Sequence, residues 1–285
     1  MHLLLVSDTH LSRETRAFAE NWRVVREHIE AAPPDLIVHL GDISVDGAGR
    51  PTELEEAAEH FGDLRPRMRF LPGNHDIGDN PKEPGAKVEA EVTAARLDAY
   101  RKTYGADYWS FEAGSWQLIG LNAQLFGTGS EEEERQFTWL EDALRAASGP
   151  LGIFVHKPLF RDRAEDGEAH VRYMPLAPRR RLLELLASRD LRFVASGHAH
   201  QERRGKLAGV EYVWAPSVSF CIPDAMQERV GEKEVGVVGL NLGESGHQFE
   251  SLRLPGLRRH NLLDYPQLFP GLAELRERLG AGAIL

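Results

Sequence analysis

Five short apolar runs in this chain each end in side chains that can bind a cation. Leu-Leu-Leu-Val-Ser leads into Asp8-Thr9-His10, and Leu-Ile-Val-His-Leu leads into Gly41-Asp42. Arg-Phe-Leu-Pro leads into Gly73-Asn74-His75-Asp76, Gly-Ile-Phe-Val into His156, and Arg-Phe-Val-Ala-Ser into Gly197-His198-Ala199-His200. If the runs are buried strands, they gather these side chains at one place only by lying in α/β sheets, where ligands bind in the crevice outside the strands' carboxyl ends. The runs expected as strands are Leu3–Val6, Leu36–Leu40, Arg69–Leu71, Leu118–Leu121, Gly152–Val155, Leu191–Ala195 and Val210–Trp214. Between them Phe18, Trp22, Val25 and Ile29 line one face of a helix.

Ser130 and Glu133 form a capping-box signal ahead of the apolar stripe Phe137, Leu140 and Leu144. The acidic run Glu131–Glu134 then sits in a first helical turn, where the dipole favours negative charge, and reads as solvated surface. Arg179–Arg181 reads the same way, as the solvated start of the helix carrying Leu182, Leu183, Leu185 and Leu186. After His200 the alternation stops, and Val210–Phe220 and Val235–Leu242 predict antiparallel strands. The chain is read as one domain over residues 1–285 with a C-terminal tail at about 256–285. Leu272, Leu275 and Leu279 place a short helix in that tail, which can dock on its own domain or, in a homo-oligomer, on a second subunit.

The 285 residues carry 44 Asp and Glu against 34 Lys and Arg, a formal charge of −10. Such a field repels a long nucleic acid unless a basic groove overcomes it, and there is no basic stripe interleaved with aromatics. Trp109, Trp116, Trp139 and Trp214 read as packing residues, and His39, inside the second strand, as a core histidine. The single cysteine, Cys221, cannot close an intrachain disulfide and fits a reducing compartment, with cytoplasm the expectation. No apolar run approaches the roughly 20 residues that cross a bilayer, and no membrane span is expected.

Carboxylate, imidazole and amide donors without thiolate suit Mn, Fe, Co or Zn. Seven such groups exceed one tetrahedral ion and point to a pair, which sits roughly 3.5–4 Å apart and clamps both oxygens of an in-line phosphoryl displacement. The glycines before Asp42, Asn74 and His198 are expected to turn the backbone so that each following side chain enters the crevice.

In this order the motifs, which span residues 1 to about 200, resemble those of the calcineurin-like metallophosphoesterases. Gln136-Phe-Thr-Trp139-Leu140-Glu is similar to the class III cyclic-nucleotide phosphodiesterase-like branch. The resemblance implies a four-layer α/β/β/α sandwich of two mixed β-sheets flanked by helices. It implies one divalent or trivalent transition-metal ion (Mn, Fe or Zn) on Asp8, His10, Asp42 and His200. A second would be held by Asp42, Asn74, His156 and His198, with Asp42 as the bridge. A water or hydroxide spanning the ions would attack phosphorus. His75 would serve the leaving oxygen or the phosphoryl charge, with Asp76 holding its ring. The branch commonly has paired histidines before prolines where this chain has His156-Lys157-Pro158, and Lys157 is expected to alter contacts to the phosphate or its substituent. The polar loop over residues 160–178 offers Arg161, Arg163, His170, Arg172 and Tyr173 on the same side.

The expected substrate is a small phosphodiester or phosphomonoester, with cyclic nucleotides and glycerophosphodiesters favoured. A nuclease or a pyrophosphatase of nucleotide conjugates is the enzymatic alternative. A protein-binding scaffold on the same fold is the alternative of another class.

Overall fold

The computed structural model describes residues 1–279 apart from 84, 85, 89, 168, 245 and 270. Strands β1 (His2–Val6), β2 (Leu36–His39) and β3 (Met68–Phe70) run parallel in one sheet, with helices α1 (Arg16–Ala31) and α2 (Thr52–Glu59) in the crossovers. The short helix α3 (Asn74–Ile77) and helix α4 (Ala94–Tyr104) lead to a second sheet. It comprises β4 (Trp109–Ala113), β5 (Trp116–Leu121), β6 (Leu151–Val155), β7 (Leu191–Ser196), β8 (Arg203–Leu207) and β9 (Val210–Trp214), with α5 (Glu131–Ala146) and α6 (Leu176–Leu186) as crossovers. The order is β4-β5-β6-β7-β9-β8; β5, β6, β7 and β9 are parallel, and the two edges are antiparallel. After the two-residue strand β10 (Phe220–Cys221), the antiparallel β11 (Val237–Leu242) and β12 (His247–Leu252) return to the first sheet, whose order is β12-β11-β1-β2-β3. Strand β13 (His260–Asn261) pairs with β10, and α7 (Leu272–Leu279) follows.

Side-chain alternation in β1 sorts the layers. Leu3 and Leu5 enter the core between the sheets, where they join Val38, Phe154, Phe193 and Leu240. Leu4 and Val6 face the opposite way and pack with Trp22, Val25 and Ile29 of α1 and Leu54 of α2. On the far side of the second sheet, Ile119, Ile153 and Val194 meet Phe137 and Leu140 of α5 and Leu182 of α6. The result is the expected four-layer α/β/β/α sandwich of two mixed sheets. Three strands of the two large sheets escaped the sequence reading, β4, β8 and β12. All are edge strands with exposed polar residues, such as Arg-Arg-Gly-Lys-Leu in β8, and so lack an apolar run.

The tail docks on its own domain. Leu262, Leu263 and Leu272 are buried against Phe18 of α1 and Phe220 of β10. No helix among the described residues is long and apolar enough to cross a membrane.

Candidate metal centre

The carboxyl ends of β1, β2, β3, β6 and β7 open on one crevice, and six of the expected ligands meet there in two groups. One contains Asp8, His10, Asp42 and His200, the other Asp42, His156 and His198, and within each group the donor atoms lie within 4.8 Å of one another. Asp42 belongs to both. Its Oδ2 lies 3.8 Å from His10 Nε2 and 3.3 Å from His156 Nε2. In the first group His200 Nε2 is 3.3 Å from Asp8 Oδ1 and 3.3 Å from His10 Nε2. In the second, His198 Nδ1 is 3.2 Å from His156 Nε2. The seventh expected ligand, Asn74, follows β3 and has a buried amide oxygen with no hydrogen-bond partner.

Backbone contacts aim these donors. His156 Nδ1 lies 2.8 Å from the Leu40 carbonyl and His200 Nδ1 lies 2.8 Å from that of Phe220. With Nδ1–H donated to a carbonyl, each Nε2 turns its lone pair inward. Each carboxylate likewise uses one oxygen to accept a backbone N–H, Asp8 Oδ2 from His198 at 3.1 Å and Asp42 Oδ1 from His75 at 3.0 Å. The other oxygen faces the cluster.

The backbone itself is strained at the ligands. Asp8, His10, Asp42, His198 and His200 have φ of 53°, 43°, 52°, 64° and 50°. Among the described residues the only other non-glycine at positive φ is Ala208. The left-handed region costs an L-residue roughly 1–2 kcal/mol, and such strain collects where a site requires it. The expected role of the glycines is therefore only partly met. Gly41 has φ +106°, whereas Gly73 is extended and is needed for close approach, since a Cβ there would lie 2.1 Å from Asp42 Oδ1. Gly197 likewise has no positive φ, and a Cβ on it would meet Ser7 Oγ at 2.0 Å.

Burial disfavours ionised Asp8 and Asp42, yet His200 beside the first and His156 beside the second hold both well below the usual carboxylate range. Burial also opposes the imidazolium of His156, but Asp42 overrides it and carries His156 up to about 9. His200 is raised by Asp8 in the same manner, while burial, with His75 and His156 respectively, pushes His10 and His198 well below the ordinary histidine value. Two buried carboxylates thus require compensating positive charge, and the surrounding imidazole nitrogens converge without thiolates. Borderline or hard transition-metal cations fit that donor set.

The ring of His75 makes contact with that of His10, centroids 4.7 Å apart. Its Nδ1 lies 2.8 Å from the Val45 carbonyl, so Val45 orients the ring, and the expectation that Asp76 does so is corrected. Asp76 is fully buried and points the other way. It accepts from the backbone N–H groups of Ile43, Ser44 and Gly73 and from Ser44 Oγ at 2.7 Å. Its carboxyl is raised to about 6 by burial and by the charge of Asp42. Asp76 ties the loop after β2 to the loop after β3, which places Asp42 beside Asn74. Lys157 is also corrected: its buried Nζ donates to Asp79 Oδ1 and Asn80 Oδ1, both at 2.5 Å, because a buried ammonium needs oxygen acceptors. Of the loop residues, Arg161 forms a two-pronged pair with Glu228, and Arg163 pairs with Asp166 on the surface. A small polar cavity lined by Arg161, Arg172 and Tyr173 reaches Ala199, between the ligands His198 and His200.

Ser217 and Ser219 escaped the sequence reading. Their hydroxyls donate to the Asp8 carbonyl at 3.0 and 2.7 Å and so hold Asp8 in its unusual conformation. The partners stand 209 and 211 residues apart, beyond any local pattern.

The sequence profile of calcineurin-like phosphoesterases matches residues 1–202. The chain belongs to that family. Among curated relatives, serine/threonine-protein phosphatase CPPED1 of Pongo abelii is 26% identical over 197 residues, covering 65% of this chain and 59% of that protein. The chain thus spans about three fifths of the length of the CPPED1 relative. A 3',5'-cyclic-nucleotide phosphodiesterase of Nostoc is 26% identical over 212 residues, covering 70% of each. A dimetal phosphatase from Danio rerio has the same fold, with a TM-score of 0.62 at 15% identity over 88% of this chain and 95% of that one.

Proposed function

We propose that this chain is a dinuclear metal-dependent phosphohydrolase of small phosphodiesters or phosphomonoesters. The observation that carries the reading is Asp42, whose Oδ2 faces an imidazole of each donor group. Asp8, His10, Asp42 and His200 would hold one ion, and Asp42, Asn74, His156 and His198 the other, with Mn, Fe or Zn suited to these donors. When bound, such a pair supplies Lewis acidity and lowers the pKa of water to a usable value.

The chain's own residues do the rest. Strained, hydrogen-bonded loops keep the donors in place, so little reorganisation is needed on binding. His75, anchored by Val45 at Nδ1, has Nε2 left to deliver a proton to the departing oxygen or to hydrogen-bond the phosphoryl group. Asp76 supports the loops rather than the proton transfer. The reading takes residues 1–285 as one domain with its tail at about 256–285. The lone Cys221 supports a cytoplasmic setting.

Cyclic nucleotides and glycerophosphodiesters are the favoured substrates, the cyclic nucleotides supported by the match to the Nostoc phosphodiesterase. The CPPED1 match favours a second reading, dephosphorylation of phosphoserine or phosphothreonine in proteins. The test is chelation and reconstitution with Mn, Fe or Zn, followed by rates on bis(p-nitrophenyl) phosphate, p-nitrophenyl phosphate and a phosphoseryl peptide. Metal-dependent hydrolysis of the esters supports the proposal, and preference for the peptide moves it to the second reading. Protein holding two metal equivalents yet inert on all three would overturn both.

A further inference from the structure

The tail does more than close the core, because it brings an aromatic ring to the candidate centre. Phe269 lies with its ring centroid 5.1 Å from that of His75, at an interplanar angle of 63°, and 6.3 Å from that of His10 at 85°. Both are edge-to-face contacts. Phe269 is only half-buried, so the core of the tail does not seal it completely.

The position of this ring is tied to the ligands through backbone. Strand β13 at the head of the tail pairs with β10, and the Phe220 carbonyl of β10 is the group that orients His200. The Phe220 ring lies between them, 4.4 Å from His200, 4.9 Å from His10 and 6.3 Å from Phe269 by centroids. At the end of β13 the Asn261 side chain accepts from the Leu263 N–H at 3.0 Å, and beyond it the Tyr265 ring packs on Phe18 at 4.9 Å. The Leu272 N–H donates to the Phe269 carbonyl at 3.3 Å and joins the residue to α7. Phe220 and the tail from β13 to α7 lie beyond residue 202, where the family match ends.

We infer that Phe269 is a specificity-determining residue, the apolar wall on which the organic substituent of the phosphate ester stacks, and that this selects esters with a planar aromatic group. The inference rests on the proposed phosphohydrolase reading. A planar ring laid on the open part of Phe269 removes apolar surface from water on both partners and gains the aromatic contact, an effect of about fivefold in affinity. An alkyl group of one carbon gains almost none of it.

The experiment uses two phosphonates, whose P–C bonds are not hydrolysed, with calorimetry on the full chain reconstituted with Mn. Phenylphosphonate is expected to bind the wild type about fivefold more tightly than methylphosphonate. Phe269→Ala should abolish that preference and leave the methylphosphonate affinity within twofold. Phe269→Leu, which keeps apolar cover over the tail, should hold the preference below twofold. In turnover, Phe269→Ala should raise KM for p-nitrophenyl phosphate more than for ethyl phosphate. Binding of both phosphonates without a phenyl preference, or a preference that survives in Phe269→Ala, overturns the inference alone. An equal loss of both affinities assigns Phe269 a general structural role and also overturns it. Failure of either phosphonate to bind, with no ester hydrolysed, overturns the phosphohydrolase reading together with it.

Discussion

Replacing Gly73 by alanine isolates the packing that brings β3 up to the bridging carboxylate. The backbone at Gly73 is extended (φ −105°, ψ −177°), a conformation alanine adopts freely, so the cost arises from contact alone. The added Cβ would sit 2.1 Å from Asp42 Oδ1 and 2.3 Å from the Asp42 backbone nitrogen, whereas comfortable separations are about 3.5 Å. A shift of roughly an ångström is required, and neither neighbour yields easily. Asp42 Oδ1 is held by the His75 N–H at 3.0 Å, and the Gly73 N–H by Asp76 Oδ2 at 2.9 Å. Overpacking of this kind costs about 1–3 kcal/mol, and the pinned surroundings place this case near 3. With a urea m-value of about 3 kcal/mol per molar, the unfolding midpoint of chelator-treated protein falls by about 1 M. Bound metal after dialysis falls from about two equivalents to below one. Gly205→Ala is the control, since a Cβ there meets no heavy atom within 4 Å; its midpoint should hold or rise slightly. A Gly73→Ala protein with the wild-type midpoint and full metal content would refute the reasoning.

Other perturbations test separate parts of the site. Asp42→Ala removes the donor common to both groups, so metal analysis should find both ions lost and kcat/KM reduced by at least about a thousandfold. His75→Asn should keep both metals and lower kcat by about 10²–10³-fold; metal loss equal to that of Asp42→Ala would contradict the assigned roles. His39, buried and paired with Thr9 Oγ1 at 2.9 Å, has its pKa lowered to about 3 by burial. Its stabilisation is complete above the unfolded value near 6.5 and is lost as pH falls towards 3, at about 1.4 kcal/mol per pH unit. Urea midpoints between pH 6.5 and 4 should therefore fall more steeply for the wild type than for His39→Asn. Burial raises the Cys221 thiol, so less thiolate forms at a given pH; Ellman's reagent at pH 8 should label Cys221 only after unfolding.

The buried strand runs and the ligand types were legible because they are written in local patterns, whereas the four-layer arrangement followed from the family resemblance. The apolar run of β1, the stripe from Phe18 to Ile29 and the polar residue after each apolar run extend over only a few positions, and each follows from what an element must bury. The edge strands β4, β8 and β12 carried no such pattern. Other features belong to contacts between distant segments. Val45 rather than Asp76 orients His75, Asp79 and Asn80 capture Lys157, Ser217 and Ser219 brace Asp8, and Phe269 approaches His75 across nearly two hundred residues of chain. Left-handed backbone at five ligands was equally hidden, since Asp and His tolerate that conformation without demanding it. Residue identity sets which donors exist and which surfaces must be buried. Which donors meet, which charges lose their water and which proton faces the cleft depend on the packing of both sheets and the tail, because desolvation and hydrogen-bond geometry are set by neighbours in space.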